Sequence, residues 1–145
     1  MRITWKDSKG NEISGRIDAA AWPYIEALGI DKAARLFLIL GGSWNYLPPR
    51  YGAVNGRRTK LSRAVGVQGI ALMQASRLEP GHFRVPLAKE FLCRYLRSRG
   101  RSVNFIAARL RMTDTTVREC LKDDEARRVG LLALGGRFSR AKLKI

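Results

Sequence analysis

The sequence predicts a mainly α fold: a helical protein with short β-segments and a C-terminal helix-turn-helix. Three observations predict it. Apolar residues recur at three- and four-residue spacing in segments of helix length, Gly and Pro clusters separate those segments, and alternating apolar and polar residues occur only in short stretches. Four regions follow: 1–50, an N-terminal hairpin with a helical, dimerising region; 51–86, a degenerate second copy of its helix-strand unit; 87–128, the helix-turn-helix region; and 129–145, a basic tail.

Residues 2–17 read as two short strands around Lys9, Gly10 and Asn11, or as a loose arm, since Ile3 and Trp5 alternate with polar residues. Asp18 can cap a helix over Ala19–Leu28, with Pro23 favouring a start nearer Trp22, and Gly29 ends it. Asp31 can cap a second helix, Lys32–Leu40, apolar enough all round to be buried or packed against a partner subunit. Gly41 and Gly42 stop it, and Trp44, Tyr46 and Leu47 form a short strand ended by Pro48 and Pro49.

Residues 50–60 have no period and read as a linker or surface loop, with Arg57, Arg58, Lys60 and Arg63 as a basic cluster that suits either a phosphate clamp or a solvated loop. A helix starts near Thr59 or Leu61, and a further one, about Gln68–Leu78, stacks Ile70, Met73 and Leu78. Pro80 and Gly81 break it before the short apolar segment HFRVP. Leu87–Arg99 is amphipathic: Leu87, Phe91, Tyr95 and Leu96 share one side, Lys89, Arg94, Arg97 and Arg99 much of the other, and Gly100 ends it.

Two stretches share one grammar. Residues 25–48 and 61–86 each run apolar residues, a glycine, an apolar helix, a Gly-containing break, a β-like segment and a proline. Gly29 matches Gly66, Leu36 matches Met73 and Pro48 matches Pro86, which suggests a pseudo-symmetric core.

Charge narrows the partner. The chain of 145 residues is 46% hydrophobic, enough to bury a core, yet carries a net charge of +16. Residues 1–50 hold seven Lys/Arg against five Asp/Glu and the remainder 21 against seven, so the partner surface belongs to the second part. Nucleic acid is the commonest partner for such a charge, because neutralised phosphates release counterions. His82 is the only histidine and no catalytic constellation stands out, so neither an enzyme nor a small-molecule substrate is expected. Cys93 and Cys120 fall on apolar helix positions and read as buried thiols; no metal and no cofactor is expected. With no apolar run of membrane-spanning length and no visible signal peptide, the expectation is no membrane and a cytosolic protein of a bacterium or phage-infected cell.

Residues 102–122, SVNFIAARLRMTDTTVRECLK, carry the chemistry. Ser102 caps a helix with Val103, Ile106, Ala107 and Leu110 at helical spacing, Arg111 and Met112 break it, and Thr113 or Asp114 caps a second helix. Ile106, Leu110, Met112, Val117 and Cys120 form the inner face that would fix the interhelical angle. Thr115, Thr116, Arg118, Glu119 and Lys122 face outward, where their groups suit base edges, while Arg94, Arg97, Arg99, Arg101, Arg109 and Arg111 would hold backbone phosphate. Arg111 stands where the turn usually has Gly, so it must adopt a left-handed conformation or the turn must lengthen. The tail from Arg137 suits an arm onto phosphate or into a minor groove, or an ordinary frayed end.

GGSWNYLP at 41–48 and SVNFIAARLRMTDTTVRECL at 102–121 resemble the Mor/C family of phage transcription activators, over roughly residues 25–121. The resemblance implies a homodimer with a helix-turn-helix at the C-terminal end, in which Gly41, Gly42, Trp44, Tyr46 and Leu47, or their echo near Gly81, help assemble the dimer. The departure is the second copy, EPGHFRVP at 79–86, in the place where the family's Gly-Gly strand leads through one helix into the DNA motif; either copy can be the family's strand, or one chain imitates a dimer. The expectation is a sequence-specific, double-stranded DNA-binding transcription regulator, with host RNA polymerase as a further partner. Alternatives are a structural or packaging DNA-binding protein with little sequence preference, and an interaction module inhibiting a host factor.

Overall fold

The computed structural model describes residues 1–49 and 59–122; Arg57, Arg58, the linker around them and the basic tail lie outside the described residues. The described chain is a mixed structure, mainly helical, with two small two-stranded sheets.

The N-terminal segment is a hairpin, β1 (Arg2–Lys6) and β2 (Glu12–Arg16), paired antiparallel from Arg2 opposite Arg16 to Lys6 opposite Glu12. The Asp7 carboxylate closes its turn, accepting from the Lys9 and Asn11 N–H groups at 2.9 and 2.8 Å. Trp5 makes the segment a structural element and not a loose arm: its ring stands edge-on to Phe91 and its Nε1–H donates to Ser98 Oγ at 3.0 Å.

A 3-10 turn, Ala19–Ala21, leads into α1 (Trp22–Leu28), whose start Pro23 sets as its fixed φ suggests. Asp18 makes no capping bond. Nor does Asp31 cap the next helix: α2 (Ile30–Leu40) begins two residues earlier than expected, with Gly29 at its N-cap, and Asp31 lies in its first turn. β3 (Trp44–Leu47) follows.

The two helices expected between 59 and 78 are the two arms of α3 (Lys60–Gln74), separated by Gly66, whose backbone is not helical (φ 75°, ψ 170°). Thr59 and Ser62 start it with a reciprocal capping box, each side chain accepting from the other's N–H at 3.1 and 2.8 Å. It ends at Gln74, short of Leu78. β4 (Gly81–Arg84) then pairs antiparallel with β3, so the Trp44–Leu47 strand has its partner within its own chain.

α4 (Lys89–Ser98) starts after Ala88, which is left-handed at φ 49°, so Leu87 lies outside the helix and is exposed, not on its inner side. Phe91, Leu92, Cys93 and Leu96 are buried. α5 (Val103–Leu110) and α6 (Asp114–Leu121) complete the described chain. One core joins all parts: Leu36, Leu47, Leu61, Met73, Val85, Phe91, Ile106 and Val117 are fully buried within it. Phe91 is its hub, with the rings of Trp5, Phe37 and Tyr95 all about 6 Å away.

Candidate nucleic-acid interface

α5 and α6 are short helices with local start and stop signals. Ser102 Oγ accepts the Phe105 N–H at 3.1 Å, and Thr113 Oγ1 accepts the Thr116 N–H at 3.1 Å, so each helix has one of its orphan donors satisfied by its N-cap. Between them Arg111 takes the left-handed conformation, φ 55° and ψ 53°, the first of the two solutions open to a non-glycine residue there. The Met112 N–H then donates to the Ala107 carbonyl at 2.9 Å and closes α5. The connection stays tight at the expense of one strained residue.

The inner face is as its residue types require. Ile106, Ala107, Leu110 and Val117 are buried, and Met112, Cys120 and Leu121 pack against them half-buried. Cys93 of α4 reaches Met112 Sδ at 3.7 Å. Burial, the neighbouring Cys120 thiol and Glu90 push the Cys93 thiol up to about 12, with only Arg94 acting against them, so it stays protonated and serves as core.

On the outward side Thr115, Thr116, Arg118, Glu119 and Lys122 are all exposed. Thr113 and Thr116 share a hydroxyl hydrogen bond of 2.7 Å, and Glu119 pairs with Lys122 at 3.3 Å. This exposed i,i+3 pair is worth a fraction of a kcal/mol, about 0.3–0.5 for helix surface pairs, and yields easily to a phosphate.

The six arginines expected on phosphate divide. Arg94 is a correction: at 6% exposure it is part of the interior. Its guanidinium donates to the Arg16 carbonyl at 3.0 Å, to Glu90 Oε1 at 3.2 Å and to the Lys122 carbonyl at 3.4 Å, tying β2, α4 and the end of α6 together. Helical spacing places it there: Phe91, Arg94, Tyr95 and Ser98 stand at i, i+3, i+4 and i+7, and only its charge argued for the outside. Arg99 is half-buried and engaged, bonded to Asp31 at 2.8 Å and lying over the Tyr95 ring; its hydrogen bond to Tyr95 and its pairing with Asp31 raise its pKa further. Arg97, Arg101, Arg109 and Arg111 are exposed. Arg97 donates to the Arg101 carbonyl at 3.1 Å, and Arg109 to the Leu38 carbonyl at 2.9 Å in the last turn of α2. Arg101 stacks 4.9 Å over Phe105, an exposed aromatic on α5 that residue type alone had not marked as part of this face.

The strand residues stand apart from this face. Leu47 is buried, Trp44 and Tyr46 point outward, and Tyr46 lies against His82 across the sheet with ring centroids 5.0 Å apart. Gly41 and Gly42 make the turn into the strand, where the Gly42 N–H donates to the Val85 carbonyl at 2.7 Å.

The site offers donors, acceptors and cations but no nucleophile–base pair, and among the described residues no His, Cys, Asp and Glu cluster could hold a metal ion. No described helix is long and apolar enough to cross a membrane. Set against protein families, curated proteins and solved structures, the chain matches none. The functional reading therefore stands on geometry and charge.

Proposed function

We propose that the protein binds double-stranded DNA as a sequence-specific transcription regulator of phage or mobile-element type, with α5 and α6 acting as a helix-turn-helix and α6 entering the major groove. The observation that carries the reading is the two-sidedness of α6. Val117 is fully buried behind it and Arg94 holds the Lys122 carbonyl just past its end, while Thr115, Thr116, Arg118 and Glu119 face solvent. A helix anchored in this way can present side chains to base edges with its backbone already formed.

Thr methyl and hydroxyl groups, an arginine fork and a carboxylate match the thymine methyl, the guanine acceptors and the cytosine amino group. Arg97, Arg101, Arg109 and Arg111 supply positive charge on the same C-terminal part, where they suit backbone phosphate. The resemblance of residues 41–48 and 102–121 to Mor/C activators points the same way.

The test is selection of bound sequences from a random duplex pool at two salt concentrations. An enriched motif whose affinity falls with salt supports the proposal. Binding without enrichment would replace it with a structural or packaging role, and absence of binding at about 50 mM salt, where electrostatic attraction is strong, would leave an interaction module.

A further inference from the structure

The echo in the sequence is an echo in the backbone. α1, Gly29, α2 and β3 form one unit; the first arm of α3, Gly66, its second arm and β4 form another. The two glycines break their helices in the same unusual conformation, φ 82° and ψ 170° at Gly29, φ 75° and ψ 170° at Gly66, which L side chains rarely adopt. Thirty-seven residues separate equivalent helix positions, and equivalents are buried together: Leu28 with Val65, Ala33 with Ile70, Leu36 with Met73. One extra residue enters before the second strand. Trp44 then matches His82, Asn45 matches Phe83, Tyr46 matches Arg84 and Leu47 matches Val85, and within each pair both side chains take the same side of the ribbon.

The register shows how the units are related. Asn45 lies opposite its own equivalent, Phe83; Trp44 lies opposite Arg84, and Tyr46, the equivalent of Arg84, lies opposite His82, the equivalent of Trp44. This exchange is the signature of a two-fold axis passing between the strands, the relation that normally joins two identical subunits. Here both units belong to one chain.

The α4–α6 module breaks the symmetry. It follows the second unit in sequence but packs on the first: Arg109 bonds the Leu38 carbonyl, and Arg99 and Tyr95 bond Asp31, all on α2. Ala34 and Phe37 of α2 are buried, whereas their equivalents Ala71 and Gln74 on α3 are not, and Val67 and Leu72 beside them are exposed. One such module is thus attached to a core that already contains its own two-fold.

We infer that the protein works as a monomer whose core is an internal dimer, and that its DNA target is a single non-palindromic site contacted by one copy of α6. The target half of this inference rests on the DNA-binding reading above; the monomer half does not. Palindromic operators mirror a two-fold that places two reading helices one helical turn apart. Among the described residues, this chain closes its two-fold on itself and presents one reading helix.

Two measurements on the full chain test it. Light scattering after size exclusion, across the concentrations used for DNA binding, should give the mass of one chain, 16.3 kDa. The selected duplexes should share an asymmetric motif and bind one chain each. A two-chain mass would overturn the monomer. An inverted repeat bound by two chains would overturn the single site. A one-chain mass with no DNA bound upholds the internal dimer and overturns the target, together with the reading it rests on.

Discussion

α4 and α6 look alike as sequences and differ in the structure. Both are short, amphipathic and arginine-bearing, and both follow the same periodic rule. Yet α4 is a beam: Phe91, Leu92, Cys93 and even Arg94 are buried, and its polar groups hold other elements in place. α6 is a surface rod, anchored by Val117 and left with most of its length outside. The difference teaches that a basic residue near an exposed helix can support that helix from behind. Arg94 does not face a ligand; it spans β2, α4 and the end of α6.

The comparison breaks if the two helices respond alike to loss of an arginine. Arg94→Ala should cost about 3 kcal/mol in chemical denaturation, since it leaves buried acceptors without a charged donor. It should weaken DNA binding only through the fold. Arg118→Ala should do the reverse: stability within about 0.5 kcal/mol of the parent, and DNA affinity lower by about 1–3 kcal/mol with relaxed preference at one base position. Equal destabilisation by both variants would show that α6 is as buried in solution as α4.

Smaller effects sharpen the contrast. Arg111→Gly relieves a left-handed residue and should raise stability by about 1 kcal/mol, seen as a higher denaturation midpoint. The same change removes a cation, so the dependence of log affinity on log salt should flatten by about 0.9 if Arg111 meets a phosphate.

The smallest expected signal belongs to Cys93. Burial pushes the Cys93 thiol from its ordinary 9.0 up to about 12, so the folded state binds the proton more firmly than the unfolded state does. The resulting stabilisation is full below pH 9.0 and is lost as pH rises from there towards 12. Iodoacetamide at mildly alkaline pH should therefore leave Cys93 unmodified in the folded protein, as read by peptide mass spectrometry, and label it after unfolding. Rapid labelling of Cys93 in the native state would mean that the α4–α6 packing opens readily.

Much of the local structure was legible in the residues. Ser102, Thr113 and Thr59 act as caps because a short hydroxyl side chain before an apolar period has few better partners than the exposed N–H groups of the next turn. The outward set on α6 was legible for the same reason, since eight residues with one buried valine leave little ambiguity of phase. Asp18 and Asp31 were misleading: neither caps, because Pro23 and Gly29 set the helix starts through backbone conformation. Leu87 was misleading too, since apolar character says nothing about the left-handed Ala88 that precedes the helix.

By itself, the sequence determined the caps of α5 and α6, the breaks at Gly29 and Gly100, and that one order of helix, glycine, helix and strand occurs twice, because these follow from interactions within a few residues. Only the tertiary structure decided which element each face meets: that β3 pairs with β4 of the same chain, that the α4–α6 module rests on the first unit, and that Arg94 turns inward while Arg118 turns out. Periodicity gives a face its direction along one element. The neighbour it finds depends on packing between residues far apart in the chain, such as Arg94 and Arg16, or Arg109 and Leu38.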